Sequence, residues 1–166
     1  MKNSIAICPG SFDPVTYGHL DIICRAANMF DKVIVAVLVN SSKQPSFTIE
    51  ERTALLEKAL SGYDNIEIRS FDGLLADYAR QTGATAVVKG LRAMSDFEYE
   101  FQMALANRKL NPEAETIFLS TSASNMYLSS SMVKQIAMFD GDISSYVPPC
   151  IEEDIKKGVK RLRKDK

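Results

Sequence analysis

The sequence predicts an α/β protein built on a single doubly wound, five-stranded parallel sheet of Rossmann-like type. Short runs of β-branched residues alternate with longer segments of helical period, the order expected of parallel strands joined by crossover helices. The run KVIVAVLV at 32–39 is apolar throughout, as a strand covered on both faces should be. Every unusual polar or glycine-containing stretch follows a predicted strand, so ligands are expected at the carboxyl ends of the strands.

Local patterns place the elements in order. SIAIC is the first strand, and the next helix has apolar positions at Leu20, Ile23, Cys24 and Ala27 that share one face. NIEIRS, ATAVVK and ETIFLS repeat the short strand pattern. The predicted strands are residues 4–8, 32–39, 65–70, 84–89 and 115–120, and the predicted helices are residues 19–30, 48–62, 74–83, 95–110, 129–141 and a last one after Pro149.

Helix ends are marked by specific residues. TIEE from Thr48 and SDFE from Ser95 are both capping-box patterns, in which a hydroxyl and a carboxylate satisfy the first amides of a helix. Gly83 is placed to end the third predicted helix, and Gly141 the fifth. We find no composition break, so one domain is expected over residues 1–166, with a C-terminal helical segment from about residue 149.

Composition excludes several classes of protein. The chain has 20 Lys and Arg against 21 Asp and Glu, a net charge of -1, which lacks the basic excess of a nucleic-acid-binding protein. Its longest apolar run is too short to span a bilayer, so no membrane partner is expected. Cys8, Cys24 and Cys150 show no metal-site or redox spacing, which favours free thiols and a cytoplasmic location. The basic tail after Lys156 is interpreted as a solvated helix end.

Two stretches are candidate phosphate sites. PGSFDPVTYGH (9–19) ends in Gly18 and His19, the only histidine, where a helix is predicted to begin; LSSSMVK (128–134) places hydroxyls before another helix. Helix amino ends favour anions, and two on one edge of the sheet could hold the two ends of a triphosphate. The plain alternatives are that His19 only caps or packs its helix and that the serines only cap theirs. No dinucleotide-binding or P-loop glycine motif occurs.

Five ordered motifs resemble a known family. T-x-G-H at 16–19 and the S-S-S-x-x-K element at 129–134 are similar to the nucleotidyltransferases of the HIGH superfamily. With SSKQPSFTIEER, FDGLL and KGLRAMSDFEYEFQMALANRKL they resemble bacterial phosphopantetheine adenylyltransferases, in order from Ser4 to about Pro149. The resemblance implies a nucleotidyltransferase fold, adenylyl transfer from ATP to 4'-phosphopantetheine by direct in-line attack, and Mg2+ as cofactor. It also implies a homohexamer and feedback inhibition by coenzyme A.

The resemblance also assigns residues. The catalytic positions are His19, as transition-state stabiliser, with Lys43, Arg92 and Ser11. The substrate positions are Ser11, Lys43, Leu74, Leu75 and Lys89. Many members of the family have Arg at the position of Lys89. The resemblance assigns no metal-binding residue. The positions matching the family's ATP site are Ser11, Phe12, His19, Gly90, Leu91, Arg92, Glu100, Asn125, Met126, Tyr127, Leu128, Ser129, Ser130 and Ser131.

Other functions stay open from the residues alone. A transferase of the same superfamily could act on nicotinamide mononucleotide or glycerol 3-phosphate, although the FDGLL and KGLR stretches argue against this. A non-catalytic nucleotide-binding module would not need His19, Lys43 and Arg92 on the same edge. Cys8 lies just before the first loop, where packing at a strand end is favoured over a nucleophilic role.

Overall fold

A computed structural model describes residues 4–39 and 45–164, and Lys43 lies outside the described residues. Five strands form one sheet in the order β3-β2-β1-β4-β5, and every neighbouring pair is parallel. This confirms the predicted fold class. The strands are β1 Ile5–Gly10, β2 Lys32–Leu38, β3 Ile66–Phe71, β4 Ala86–Leu91 and β5 Glu115–Ser120.

Six α-helices cover both faces of the sheet. Alternate residues of β1 point to opposite faces of the sheet. On one face, Ala6 and Cys8 belong to the larger apolar cluster, which includes residues of α1, α2, α5 and α6. On the other face, Ile7 belongs to a smaller cluster that includes Ala79 of α3. No helix of the described part of the chain is long and apolar enough to cross a membrane. The helices are α1 Tyr17–Met29, α2 Ile49–Ala59, α3 Leu75–Thr82, α4 Met94–Leu110, α5 Ser130–Met138 and α6 Pro149–Lys164.

The sheet opens at the centre of its carboxyl edge. β1 pairs with β2 along its whole length, from Ile5 to Gly10, but with β4 only at Ala6↔Ala86 and Ile7↔Val87. The chain order also reverses between these two strands, which makes this point the topological switch of the fold. A crevice is therefore expected between the loops that follow β1 and β4, and the predicted phosphate loop lies there.

The helix ends confirm some sequence predictions and correct others. Thr48 caps α2 as expected, since its hydroxyl accepts from the Glu51 amide at 3.2 Å and the Glu51 carboxylate accepts from the Thr48 amide at 2.9 Å. Gly83 ends α3 with φ of 68°, in the left-handed region. The capping box predicted at Ser95 is wrong: α4 begins at Met94 with Ala93 in the cap position.

The expected end of α5 at Gly141 is also wrong. The helix ends at Met138, and Asp140 takes the left-handed conformation with φ of 59°. Gly141 has a different role, because its amide donates to the Ile136 carbonyl at 2.9 Å and a Cβ there would lie 2.6 Å from the Ile136 side chain. Close packing, and not a positive φ, explains this glycine.

Candidate active site

The loop after β1 builds a rigid floor beneath His19. Phe12 has a φ of 48° and its ring is buried, packed edge-on to the His19 ring at 5.2 Å between centroids. A Cβ at Gly10 would lie 2.8 Å from this ring, so glycine is required there. Ser11 is exposed at the mouth of the loop. The buried ring makes Phe12 a support for the site.

His19 caps its own helix and thereby fixes its tautomer. Its Nδ1 lies 3.1 Å from both the backbone N–H and the hydroxyl of Thr16. A backbone N–H can only donate, so Nδ1 is the acceptor nitrogen and Nε2 carries the proton. Burial, and next the positive charge of Arg92, lower the pKa of His19 to about 4. At neutral pH the side chain is therefore an uncharged imidazole with an Nε2–H to donate.

The amino end of α1 is less open to an anion than its sequence indicates. The Thr16 amide donates to His19, and the Tyr17 amide donates to the Tyr146 carbonyl at 2.9 Å. These two donors are already satisfied by the protein.

Arg92 links the β4 loop to the segment before α5. Its Nη1 donates to the Leu128 carbonyl at 2.9 Å, and its Nε lies 3.2 Å from the Asp96 carboxylate. Asp96 also accepts from the Arg92 amide at 3.3 Å. The effect of Arg92 on the pKa of His19 places its charge near the imidazole. The structure therefore brings together two of the predicted catalytic side chains.

The three serines before α5 have separate roles. Ser129 is the N-cap, and its hydroxyl accepts from the Met132 amide at 3.2 Å. Ser130 donates to the Pro14 carbonyl at 2.7 Å and so ties α5 to the loop after β1, while Ser131 is exposed. The plain interpretation as a cap holds for Ser129. The link through Ser130 joins the two candidate phosphate sites.

The segment between β5 and α5 lies beside Gly18. A Cβ at Gly18 would be 3.8 Å from both the Asn125 carbonyl and the Leu128 side chain. Asn125 ends a single 3-10 turn, Ala123–Asn125, and is half-buried. Met126 and Tyr127 are exposed, and Leu128 is buried. This part of the predicted ATP site is therefore adjacent to the His19 loop.

Gly90 and Leu91 end β4 next to α1. A Cβ at Gly90 would lie 2.8 Å from Cγ1 of Ile22, so the packing of α1 against β4 accounts for this glycine. Leu91 is half-buried. The resemblance placed Gly90 in the ATP site, and the structure shows that a glycine is also needed there for α1 to pack against β4.

The predicted substrate residues fall into two groups. Lys89 forms an ion pair of 3.1 Å with Glu100 of α4, and both side chains are mostly covered. Leu74 and Leu75 begin α3 after the edge strand β3, where Leu74 is 58% exposed and Leu75 is half-buried. The parallel topology puts both groups on the carboxyl edge, and no contact described joins the leucines to His19.

Similarity to known proteins decides the family. A model of cytidylyltransferase-like proteins matches residues 7–136. The chain is 57% identical to the phosphopantetheine adenylyltransferase of Caldanaerobacter subterraneus subsp. tengcongensis, over 95% of this chain and 98% of the relative. It is 54% identical to that of Clostridium perfringens, over 96% and 97%.

The chain belongs to the phosphopantetheine adenylyltransferase family.

More distant structures share its fold. A Vibrio parahaemolyticus crystal structure assigned as a nicotinate-nucleotide adenylyltransferase has a TM-score of 0.71 at 18% identity, covering 96% of each chain. A Plasmodium falciparum nicotinic acid mononucleotide adenylyltransferase complexed with NaAD has a TM-score of 0.65 at 15% identity, covering 97% of this chain and 96% of that one. At such identities the likeness concerns the fold alone, and the phosphopantetheine adenylyltransferases remain the relatives that bear on function.

Sequence reasoning missed several residues that this member of the phosphopantetheine adenylyltransferase family uses to build its site. Arg52 of α2 is buried, and its Nη1 donates to the Ser11 carbonyl at 2.8 Å and lies 3.3 Å from the Leu38 carbonyl. Asp21 accepts from the Ser122 amide at 3.1 Å and so anchors the start of the 122–128 segment. Asp13 and Lys134 form a partly buried ion pair. Each joins positions far apart in the sequence, which spacing alone does not indicate.

Proposed function

We propose that this protein transfers the adenylyl group of ATP to 4'-phosphopantetheine, releasing pyrophosphate and dephospho-coenzyme A. The observation that carries the proposal is the 57% identity to a phosphopantetheine adenylyltransferase over nearly the whole of both chains. The site agrees with this chemistry, because it offers a neutral donor and a fixed cation at the switch point of the sheet. Such a site favours positioning and charge stabilisation over covalent catalysis.

In the proposed mechanism the acceptor phosphate attacks the α-phosphorus of ATP in line. The Nε2–H of His19 donates to the oxygens on which negative charge grows in the transition state. A neutral donor held by a cap needs no reorganisation as the reaction proceeds, which is what preorganised stabilisation requires. Arg92 supplies positive charge to the phosphates of ATP and is held in place by Leu128 and Asp96.

The acceptor is proposed to lie along the carboxyl edge between Leu74 and Lys89. The exposed Leu74 offers apolar contact to the pantetheine arm. Lys89 provides charge for the acceptor phosphate, with Glu100 holding its ammonium group in place. Ser11 and Lys43 complete the phosphate contacts. The nucleotide is proposed to occupy the 125–131 segment together with Gly90 and Leu91.

Mg2+ is proposed to enter with ATP, coordinated mainly by phosphate oxygens, as is usual for this ion. The described residues contain no group of three or more His, Cys, Asp or Glu that could hold a metal ion. The part of the chain that the structure describes therefore supplies no such cage, and no step is assigned to a protein-held metal. Removal of Mg2+ with EDTA should abolish turnover, and its return in excess should restore it.

Pyrophosphate release with different acceptors tests the function. The protein is mixed with ATP, Mg2+ and 4'-phosphopantetheine, nicotinamide mononucleotide or glycerol 3-phosphate. Release should be far faster with phosphopantetheine, and equal or reversed rates would refute the assignment. His19→Ala should fold and bind ATP yet lose on the order of 10²-fold in kcat, the scale of one deleted preorganised donor. Intact turnover in that variant would leave His19 with its capping role only.

A homohexamer is proposed for the assembly, and α4 supports an interface between copies. None of the α4 side chains that the structure describes is buried, although the helix carries several large apolar residues. Sedimentation equilibrium should give six copies, and Leu105→Asp should reduce that number. The exposed apolar residues of α4 are Tyr99, Phe101, Met103, Leu105 and Leu110.

Coenzyme A is proposed as a feedback inhibitor, because it carries both the pantetheine arm and the adenylyl group and so fits both halves of the site. Coenzyme A should raise the apparent KM for phosphopantetheine, and unchanged kinetics in its presence would refute this proposal.

A cytoplasmic location is proposed from the free thiols of Cys8, Cys24 and Cys150, which suit a reducing compartment. Fractionation of cells that express the chain would test this.

A further inference from the structure

One carboxylate holds three parts of the site together. Asp13 is only 9% exposed, and its carboxylate accepts from the Phe47 amide at 2.8 Å and the Ser46 amide at 3.0 Å. The Nζ of Lys134 donates to the same carboxylate at 2.8 Å. The segment that leads into α2 and the helix α5 are therefore both fixed to the loop after β1.

Lys134 of α5 bonds both to the loop after β1 and to the segment that leads into α2. Its Nζ donates to the Ser46 hydroxyl at 3.0 Å as well as to Asp13. One turn earlier on the same helix, Ser130 donates to the Pro14 carbonyl. Two links one turn apart fix both the distance and the tilt of α5 relative to the loop that carries Ser11.

Other contacts besides the ion pair order this part of the fold. The segment before α2 is already ordered by the Thr48 cap and by Arg52, whose guanidinium bonds to the Ser11 carbonyl. A largely covered ion pair such as this one still costs some desolvation, and apolar side chains of similar volume often stabilise a fold as well or better. An ion pair located between two candidate phosphate sites is better explained by the distance and orientation that it imposes on them.

We propose that Asp13 and Lys134 are positioning residues, which set the separation between the loop after β1 and the amino end of α5 so that both engage the triphosphate at once. The inference rests on the proposed adenylyl transfer. Loss of the pair lets the two phosphate sites drift apart, and a misplacement of about 1 Å can cost on the order of 10²-fold in rate. ATP still binds to either half of the site, so turnover falls more than affinity.

The test compares Lys134→Met, Asp13→Asn and the double variant with wild type. Single-turnover rate, KM for ATP and Tm are measured on the same preparations. Lys134→Met should lower the rate at least ~10-fold and change KM for ATP by less than ~3-fold, the pattern of an interaction needed in the transition state. Lys134→Arg, which keeps the charge, should recover most of the rate.

The double variant separates positioning from stability. It leaves no buried unpaired charge, so its Tm should rise above that of Asp13→Asn while its rate stays low. A rate that recovers together with Tm would overturn the proposal, as would a wild-type rate in Lys134→Met. Should Lys134→Met not fold, the double variant carries the same test.

A matched pair elsewhere provides the control. Glu152 and Lys156 of α6 form an ion pair of 2.6 Å with similarly covered side chains. Glu152→Gln with Lys156→Met should leave the single-turnover rate at the wild-type value, and an equal loss of rate there would overturn the inference. Inactivity of wild type and control toward phosphopantetheine would instead refute the proposed function, and the inference with it.

Discussion

The lowered pKa of His19 makes a quantitative prediction about acid stability. The folded value is about 4 against an ordinary value of 6.5 in the unfolded chain. Between these values the unfolded chain binds a proton that the folded protein does not, so stability falls as the pH is lowered. A difference of about 2.5 pH units corresponds to at most about 3 kcal/mol lost between pH 6.5 and pH 4, at 1.36 kcal/mol per unit.

Urea unfolding of wild type and His19→Gln isolates this effect. The glutamine carbonyl can still accept from the Thr16 amide, so the cap is kept while the titrating group is removed. Both proteins are unfolded at several values between pH 4 and pH 7.5, and the free energies of unfolding are subtracted. Other titrating groups are shared by the two proteins and cancel in the difference.

The sign of the result decides the argument. Wild type should lose up to about 3 kcal/mol relative to His19→Gln as the pH falls from 6.5 to 4. A gain in the relative stability of wild type on acidification would mean that the folded protein holds an imidazolium. A flat difference would mean that the ring is solvated. The first result would refute the neutral, Nε2-protonated donor on which the mechanism depends, and the second would refute the desolvated environment that lowers the pKa of the ring.

Two further substitutions and one labelling experiment test the packing and capping of the fold. Gly90→Ala should destabilise the fold by about 1 to 3 kcal/mol, because its new Cβ would lie 2.8 Å from Ile22, whereas Gly62→Ala, with open space at its Cβ, should change little; equal effects in chemical denaturation would contradict this. Thr48→Ala should cost about 1 kcal/mol through loss of the α2 cap, with an unchanged Tm as the contrary result. Iodoacetamide should label the exposed Cys150 of the native protein but spare Cys8, whose burial raises the pKa of its thiol to about 12; rapid native labelling of Cys8, read by mass spectrometry, would show that its strand end opens.

The sequence predicted what depends on local pattern. The doubly wound parallel sheet was accessible because alternating strands and helices restrict the topology, and Thr48 and Gly83 behave as their types predict. The failed cap at Ser95 and the misplaced end of α5 have a common cause. At both ends the backbone makes a contact that residue type does not indicate: the Arg92 amide donates to Asp96, and the Gly141 amide donates to the Ile136 carbonyl.

The candidate site shows the same division. The loop after β1 and the serines before α5 were located from residue types that suit helix ends and phosphates. The sequence could not show that backbone amides at these helix ends already bond within the protein. The Tyr17 amide, for example, donates to the Tyr146 carbonyl, more than a hundred positions away. The Asp13–Lys134 pair was missed for the same reason, although its two residues lie in the stretches 9–19 and 128–134 that were identified as candidate phosphate sites.

The C-terminal helix α6 has a consequence for anyone who divides the chain. The region shared with cytidylyltransferase-like proteins stops at residue 136, yet Ile151, Ile155 and Val159 of α6 have no exposed surface and pack in the larger apolar cluster. A fragment cut at that shared boundary would uncover this apolar surface in water and should aggregate instead of folding. The region shared with cytidylyltransferase-like proteins is therefore smaller than the unit that must be expressed, fused or transplanted.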